Sequence, residues 1–169
     1  MMILVTGGSK CGKSRYAESL FADCTAPKYY LATMQPYGEE AAAAIERHRN
    51  LRAGKGFQTV EQYTDIDRAD VPEGSAVLLE CMGNLLANEM FRDGKTLACT
   101  DKILADVLRL SAGTALLVIV TNQIGSDGIP YENGTAAYIA ALGRINQFLA
   151  EHADQVTECV YGIPVTVKG

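Results

Sequence analysis

Eight consecutive residues near the start of the chain, Gly7, Gly8, Ser9, Lys10, Cys11, Gly12, Lys13 and Ser14, fit the phosphate-binding pattern G-x-x-x-x-G-K-S/T. The chemistry follows from the residue types. Gly7 and Gly12 permit backbone torsions and a close approach that a side chain would block, so successive amides can face phosphate oxygens. Lys13 would reach the β- and γ-phosphates of a nucleoside triphosphate, and the Ser14 hydroxyl would hold Mg²⁺. The pattern fixes only four positions, so its flanks must separate it from a Gly-rich turn with a chance Lys-Ser. Ile3, Leu4 and Val5 form a short buried-strand run before it, and Arg15 to Ala22 places Tyr16, Leu20 and Phe21 on one helical face after it. Both flanks match the phosphate loop.

A second chemical group comes from strand ends. Ser75 to Glu80 reads as a buried parallel strand that ends on a carboxylate. In such a position a carboxylate acts on Mg²⁺, directly or through water, or on an attacking group; the alternative is a solvated strand terminus. Four apolar residues carry Glu80 to the rim where phosphates would lie, which favours the functional role. Thr33 and the run Thr121-Asn122-Gln123 reach the same rim. The histidines are His48 and His152 only. His48 lies among Glu46, Arg47 and Arg49, and side-chain chemistry alone favours a helix-surface imidazole. Arg47, Arg49 and Arg52 read either as a solvated helix face or as a cluster suited to a triphosphate. His152, at the tail of a helix, reads as structural.

The elements that must position these groups alternate along the chain. Lys28 to Thr33 is the second strand, Gly38 to Asn50 a helix with a thin inward stripe of Ala41, Ala44, Ile45 and His48, and Phe57 to Glu61 a short third strand. Helices follow at Met82 to Phe91 and Thr100 to Ser111, the latter with Ile103, Leu104, Val107, Leu108 and Leu110 apolar. Then come a strand at Ala115 to Thr121, a loop at Asn122 to Gly134, a helix at Ala136 to Ala150, and two short strands, Gln155 to Tyr161 and Val165 to Lys168, around Gly162-Ile163-Pro164. Strands that alternate with helices and lack polar alternation predict an α/β class: a P-loop NTPase, RecA-like, with a mostly parallel sheet, helices on both faces and a C-terminal hairpin. Ligands in such sheets lie beyond the carboxyl ends of the strands.

The totals bound the rest. A chain of 169 residues predicts one domain spanning 1–169. With 48% hydrophobic and 21% charged residues it has the material for a helix-covered sheet rather than disorder. A net charge of −5 makes the surface as a whole a poor match for nucleic acid. No apolar run approaches the ~18 residues of a membrane span, and the start lacks the basic residues of a secretory signal, so the cytoplasm is the expected location. The five cysteines are scattered and contain no C-x-x-C pair, which argues against zinc and against a disulfide framework. Cys11 reads as a small residue at a variable loop position.

In order and spacing, these residues resemble the bifunctional adenosylcobinamide kinase/adenosylcobinamide-phosphate guanylyltransferase family of cobalamin biosynthesis. The resemblance runs through nearly the whole chain: Met2 to Gly8, Gly12-Lys13-Ser14-Arg15, Ala17-Glu18, Tyr30 to Thr33, Ile45 to Arg49, Thr59-Val60-Glu61, Leu78 to Cys81, Asn88, Val120 to Asn122, Gly125, Gly128-Ile129-Pro130 and Gly143 to Gln147. It implies two reactions. One phosphorylates the aminopropanol hydroxyl of adenosylcobinamide from ATP or GTP with Mg²⁺. The other moves GMP from GTP onto the resulting phosphate through a guanylyl-histidine. It also implies His48, Lys13 and Glu80 as catalytic residues, Ser14 and Glu80 on the metal, and nucleotide contacts from Gly7 to Ser14, Thr33, Arg49, Glu61, Glu80 and Asn122. A homo-oligomer, trimeric in the family, follows from the same likeness. The chain departs from family members in three places. Arg47-His48 stands where some carry His-His and use the first, Asn122-Gln123 stands for Asn-Glu, and Ala136 and Ala140 replace polar residues. These departures keep two alternatives open: a small-molecule kinase without guanylyl transfer, and a non-catalytic GTP-binding protein.

Overall fold

The computed structural model describes residues 1–125 and 128–169, with the side chains of Glu40, Ala44 and Leu51 left out. The strands are β1 (Met2–Gly7), β2 (Lys28–Ala32), β3 (Phe57–Glu61), β4 (Ala76–Glu80), β5 (Leu116–Val120), β6 (Gln155–Val160) and β7 (Ile163–Lys168). The helices are α1 (Lys13–Ser19), α2 (Gly38–Arg52), α3 (Met82–Met90), α4 (Thr100–Gly113) and α5 (Asn133–His152). One seven-stranded sheet runs in the order β3-β2-β4-β5-β1-β6-β7, parallel throughout except for the final β6–β7 pair. The expected class is therefore observed, with element ends within a few residues of the sequence reading.

Strand alternation decides which helix covers which face. Leu4, Leu31, Val77, Leu79, Leu117 and Ile119 pack with α3, α4 and α5 through Met82, Leu85, Ile103, Val107, Leu142 and Ile145. Ile3, Val5, Tyr30, Leu78, Val118 and Val120 point the other way, onto Ala17 and Phe21 from the α1 side. Helices thus lie on both faces. Of the apolar residues assigned to α4, Leu108 does not join the core; it is 40% exposed. The inward stripe of α2 is observed at Ala41, Ile45 and His48, each half-buried, whereas Ala44 lies outside the described side chains. The loop after β5 includes residues 126 and 127, which also lie outside the described residues.

The terminal hairpin turns earlier than its sequence implied. Tyr161 and Gly162 have φ of 50° and 84° and form the turn, while Ile163 and Pro164 already belong to β7. Two left-handed residues suit a two-residue hairpin turn, and a proline is tolerated on an edge strand. This turn also braces the phosphate loop, because the Gly162 amide donates to the Cys11 carbonyl at 2.9 Å.

Candidate functional site

Register brings the loop and the distal carboxylate to one rim. Val5 pairs with Val120, Val120 with Glu80, and Glu80 with Ala32, so β1, β5, β4 and β2 end side by side. One strand, β5, separates the loop strand from the Glu80 strand. Ser14, at the start of α1, spans that gap and donates its hydroxyl to Glu80 Oε1.

The loop conformation explains two of its glycines. Gly7 sits at φ 140°, and a Cβ there would lie 2.6 Å from the Cys159 carbonyl oxygen and 2.9 Å from Cys11 Sγ. Gly12 sits at φ 98°, where an added Cβ would lie 3.2 Å from Gly162 Cα. Gly8 meets no such contact within 4 Å. Lys13 is buried, and its ammonium donates to the carbonyls of Gly7 at 2.9 Å and Gly8 at 2.5 Å. No carboxylate lies within ion-pair distance of Lys13 among the described residues; beside the two carbonyls its ammonium reaches Cys11 Sγ at 3.8 Å, so loop atoms alone hold its charge there, next to an open cavity.

That cavity measures about 660 Å³. Its wall contains Ser9 to Ser14 from the loop, Glu80 from β4, His48 and Arg49 from α2, Glu61 from β3, and Asn122 from the end of β5. The structure therefore brings together nearly all of the expected site residues. Gly7 and Gly8 do not line the cavity but contribute the carbonyls that hold Lys13. Thr33 does not line it either. It is fully buried, its hydroxyl donates to the Cys81 carbonyl at 2.9 Å, and its carbonyl accepts from Asn88 Nδ2 at 2.8 Å, so it ties the end of β2 to both ends of α3. Arg49 and Glu61 form an exposed pair at 3.2 Å across the cavity edge. Asn122 is held through its carbonyl by Asn146 Nδ2 at 3.2 Å. Of the departures, Gln123, Ala136 and Ala140 are exposed and none lines the cavity.

His48 does not behave as a surface imidazole. Its side chain is 17% exposed, and Nδ1 lies 3.6 Å from Glu80 Oε2. Two further residues, which the sequence placed only in a strand and in a basic cluster, complete this corner. The Tyr30 hydroxyl donates to Glu80 Oε2 at 3.2 Å. Burial, reinforced by the Glu80 charge, raises its pKa far above the ordinary phenol value, so it stays a donor. Arg52 is buried with its guanidinium carbon 3.2 Å from the centre of the Tyr30 ring, a cation–π stack, and its Nη1 has no hydrogen-bond partner. The period of α2 offered a signal for Arg52, which lies one turn beyond His48 on the same face. Tyr30 had one in strand alternation, as the register partner of Leu78 on the Glu80 side of the sheet. Burial holds the neighbouring Cys81 thiol, another wall residue, above its usual pKa.

Chemically, the corner offers a cationic phosphate cradle, two convergent oxygen ligands at Ser14 and Glu80, and one imidazole. Comparison with known proteins gives the arrangement its family. Residues 3–167 match the family model described as cobinamide kinase / cobinamide phosphate guanyltransferase. The bifunctional adenosylcobalamin biosynthesis protein CobU of Escherichia coli (strain K12) is 37% identical over 99% of this chain and 100% of its own length. The Salmonella typhimurium protein of the same name is 36% identical over 99% and 100%. The Pseudomonas aeruginosa protein named CobP is 29% identical over 100% of this chain and 98% of its own. Among solved structures, the P4 protein of bacteriophage phi6 in complex with ADP is 13% identical and covers 96% of this chain and 52% of its own, with a TM-score of 0.42. Matched along almost its whole length by that family model, the chain belongs to the cobinamide kinase / cobinamide phosphate guanyltransferase family.

Proposed function

We propose that this chain phosphorylates adenosylcobinamide and then transfers GMP from GTP to the phosphate so formed, with His48 as the nucleotidyl carrier. The observation that carries the reading is the shared cavity, in which Lys13, Ser14, Glu80 and His48 face one space. In the kinase reaction the loop amides and Lys13 take the β- and γ-phosphates. Lys13 exchanges its two carbonyl partners for phosphate oxygens, gaining charge-assisted bonds at the place where negative charge develops. Arg49, Glu61 and Asn122 line the rest of the nucleotide's path.

Ser14 and Glu80 fit a hard divalent cation, because a hydroxyl and a carboxylate oxygen already converge at the mouth of the loop. Mg²⁺ held there would neutralise phosphate charge. In the second reaction a neutral imidazole attacks the α-phosphorus and later leaves from the phosphoramidate, which divides one difficult transfer into two easier ones. The place of His48 on the cavity wall supports it as the carrier where some members use the preceding position.

Incubation with α-labelled GTP and Mg²⁺, followed by denaturation, is the direct test. Acid-labile, alkali-stable label is expected on the wild-type protein and absent from His48→Ala. Equal labelling of the two rejects His48 as carrier, and phosphorylation of cobinamide with no GDP-linked product reduces the chain to a kinase.

A further inference from the structure

The two nitrogens of His48 are not equivalent. Nδ1 is fully buried and has no hydrogen-bond partner among the described residues, and Glu80 Oε2 lies 3.6 Å from it. Nε2 makes no hydrogen bond among the described residues either, yet it is not one of the buried unpartnered atoms, and the ring lines the cavity. The accessible nitrogen is therefore Nε2.

The surroundings of Glu80 decide where the proton sits. Oε1 accepts from Ser14 and Oε2 from Tyr30, so the carboxylate is oriented from two sides. A bare Nδ1 lone pair aimed at that carboxylate would be repelled, whereas an Nδ1–H would be attracted and could close to hydrogen-bond distance. An acceptor beside one ring nitrogen holds the proton on that nitrogen and leaves the other bare, and here Glu80 is an acceptor on the Nδ1 side.

We propose that Glu80 holds His48 as the Nδ1–H tautomer and that the guanylyl group is carried on Nε2, making Glu80 a positioning residue for the nucleophile as well as a group at the metal side. The assignment rests on the reading of His48 as carrier. The Nε2 lone pair attacks the α-phosphorus, the N–P bond forms, and the bond to the bridging oxygen breaks, so that pyrophosphate leaves with the electron pair. The imidazole is then cationic, with Nδ1–H facing Glu80. A phosphate oxygen of cobinamide phosphate next attacks the same phosphorus, the N–P bond breaks, and its electron pair returns to Nε2. Nδ1 keeps its proton through both steps, so no proton has to be delivered or removed.

Nuclear magnetic resonance of protein labelled with ¹⁵N-histidine separates the two parts. In the resting wild-type enzyme the His48 Nδ1 signal is expected in the protonated, pyrrole-like range and Nε2 in the bare, pyridine-like range. In Glu80→Gln and Glu80→Ala the balance moves toward the Nε2–H tautomer. After reaction with GTP, ¹⁵N–³¹P coupling is expected at Nε2. Coupling at Nδ1, or a resting Nε2–H tautomer in the wild type, overturns the proposal. Should GTP leave no label on any histidine, the carrier reading fails, while the resting spectrum still reports on the Glu80–His48 pair. The wild-type measurements require no variant to fold.

Discussion

Two groups of buried charged side chains lie on opposite faces of the sheet and differ in one respect, whether their charges already have partners. On the α4 side, Glu89 and Asp106 are almost wholly buried, and with Asp65 their oxygens lie within 4.8 Å of one another, a spacing that could hold a metal ion. The Lys102 ammonium already occupies that place. It lies 2.7 Å from Asp65 Oδ1 and 2.8 Å from Asp106 Oδ2 and also bonds Glu89. Arg109 and Arg92 close the outside through Asp106, Asp67 and Asp65. On the α1 side, Glu80 is 8% exposed but meets only hydroxyls and a 3.6 Å imidazole, while Lys13 and Arg52 nearby lack any carboxylate among the described residues. A folded chain tolerates unpaired charge around an open cavity when a ligand completes it; the Lys102 cluster is complete without one.

The widest gap between the clusters is expected in activity. Lys13→Ala removes the cation at the phosphate cradle and should lower both kinase turnover and labelling by GTP at least ~10²–10³-fold, the scale of a lost transition-state donor. Because Lys13 has no ionic partner among the described residues, the variant's melting temperature should stay within the change expected from about 1 kcal/mol. Steady-state rates together with a thermal melt check both halves. A melt that collapses with the activity would show that the loop lysine is structural.

Lys102→Met should do the reverse. It strands Glu89 and Asp106 without their cation, and breaking a buried pair costs about 3–5 kcal/mol. The lower end applies, because Lys102 is itself 39% exposed and Asp106 keeps Arg109. At roughly 2–4 °C per kcal/mol for a domain of this size, the melting temperature should fall by ~6–12 °C. Turnover below the melt should remain within about twofold. A loss of turnover greater than the loss of folded protein would join this cluster to the site.

The contrast also shows what could be read from the residues alone. The loop was legible because its pattern is local: Gly7, Gly12, Lys13 and Ser14 are fixed by spacing, and the strand and helix beside them by hydrophobic run and periodicity. Glu80 was legible because four apolar residues led up to it. Tyr30, Arg52 and the depth of His48 were not, since each depends on how α2 lies over the ends of β2 and β4, and a thin apolar stripe leaves that docking unspecified. Thr33 failed in the opposite direction. Its position at a strand end was right, but its hydroxyl is taken up by the Cys81 carbonyl. The Lys102 cluster gave no signal either, because its three acids come from separate segments.

The smallest expected effect concerns pH. The hydrogen bond donated by Lys102 lowers the Asp65 pKa, and the hydrogen bonds that Lys102 donates to Asp106, Asp65 and Glu89 raise its own despite the opposing effect of burial. A depressed carboxylate contributes stability that is present above its unfolded pKa of about 3.9 and is lost as pH falls through the lower folded value. A raised lysine contributes stability that is present below its unfolded pKa of about 10.4 and is lost as pH rises through the higher folded value. Both contributions are therefore constant between about pH 5 and pH 9. The melting-temperature difference between wild type and Lys102→Met should be flat across that window, and Asp65→Asn should narrow its own gap to wild type only below about pH 4. Asp65 is partly exposed, so its share should stay below about 1 kcal/mol. A difference that changes steadily between pH 5 and 9 would mean that some other group, near neutrality, governs the cluster, and the division into one completed and one ligand-dependent cluster would then fail.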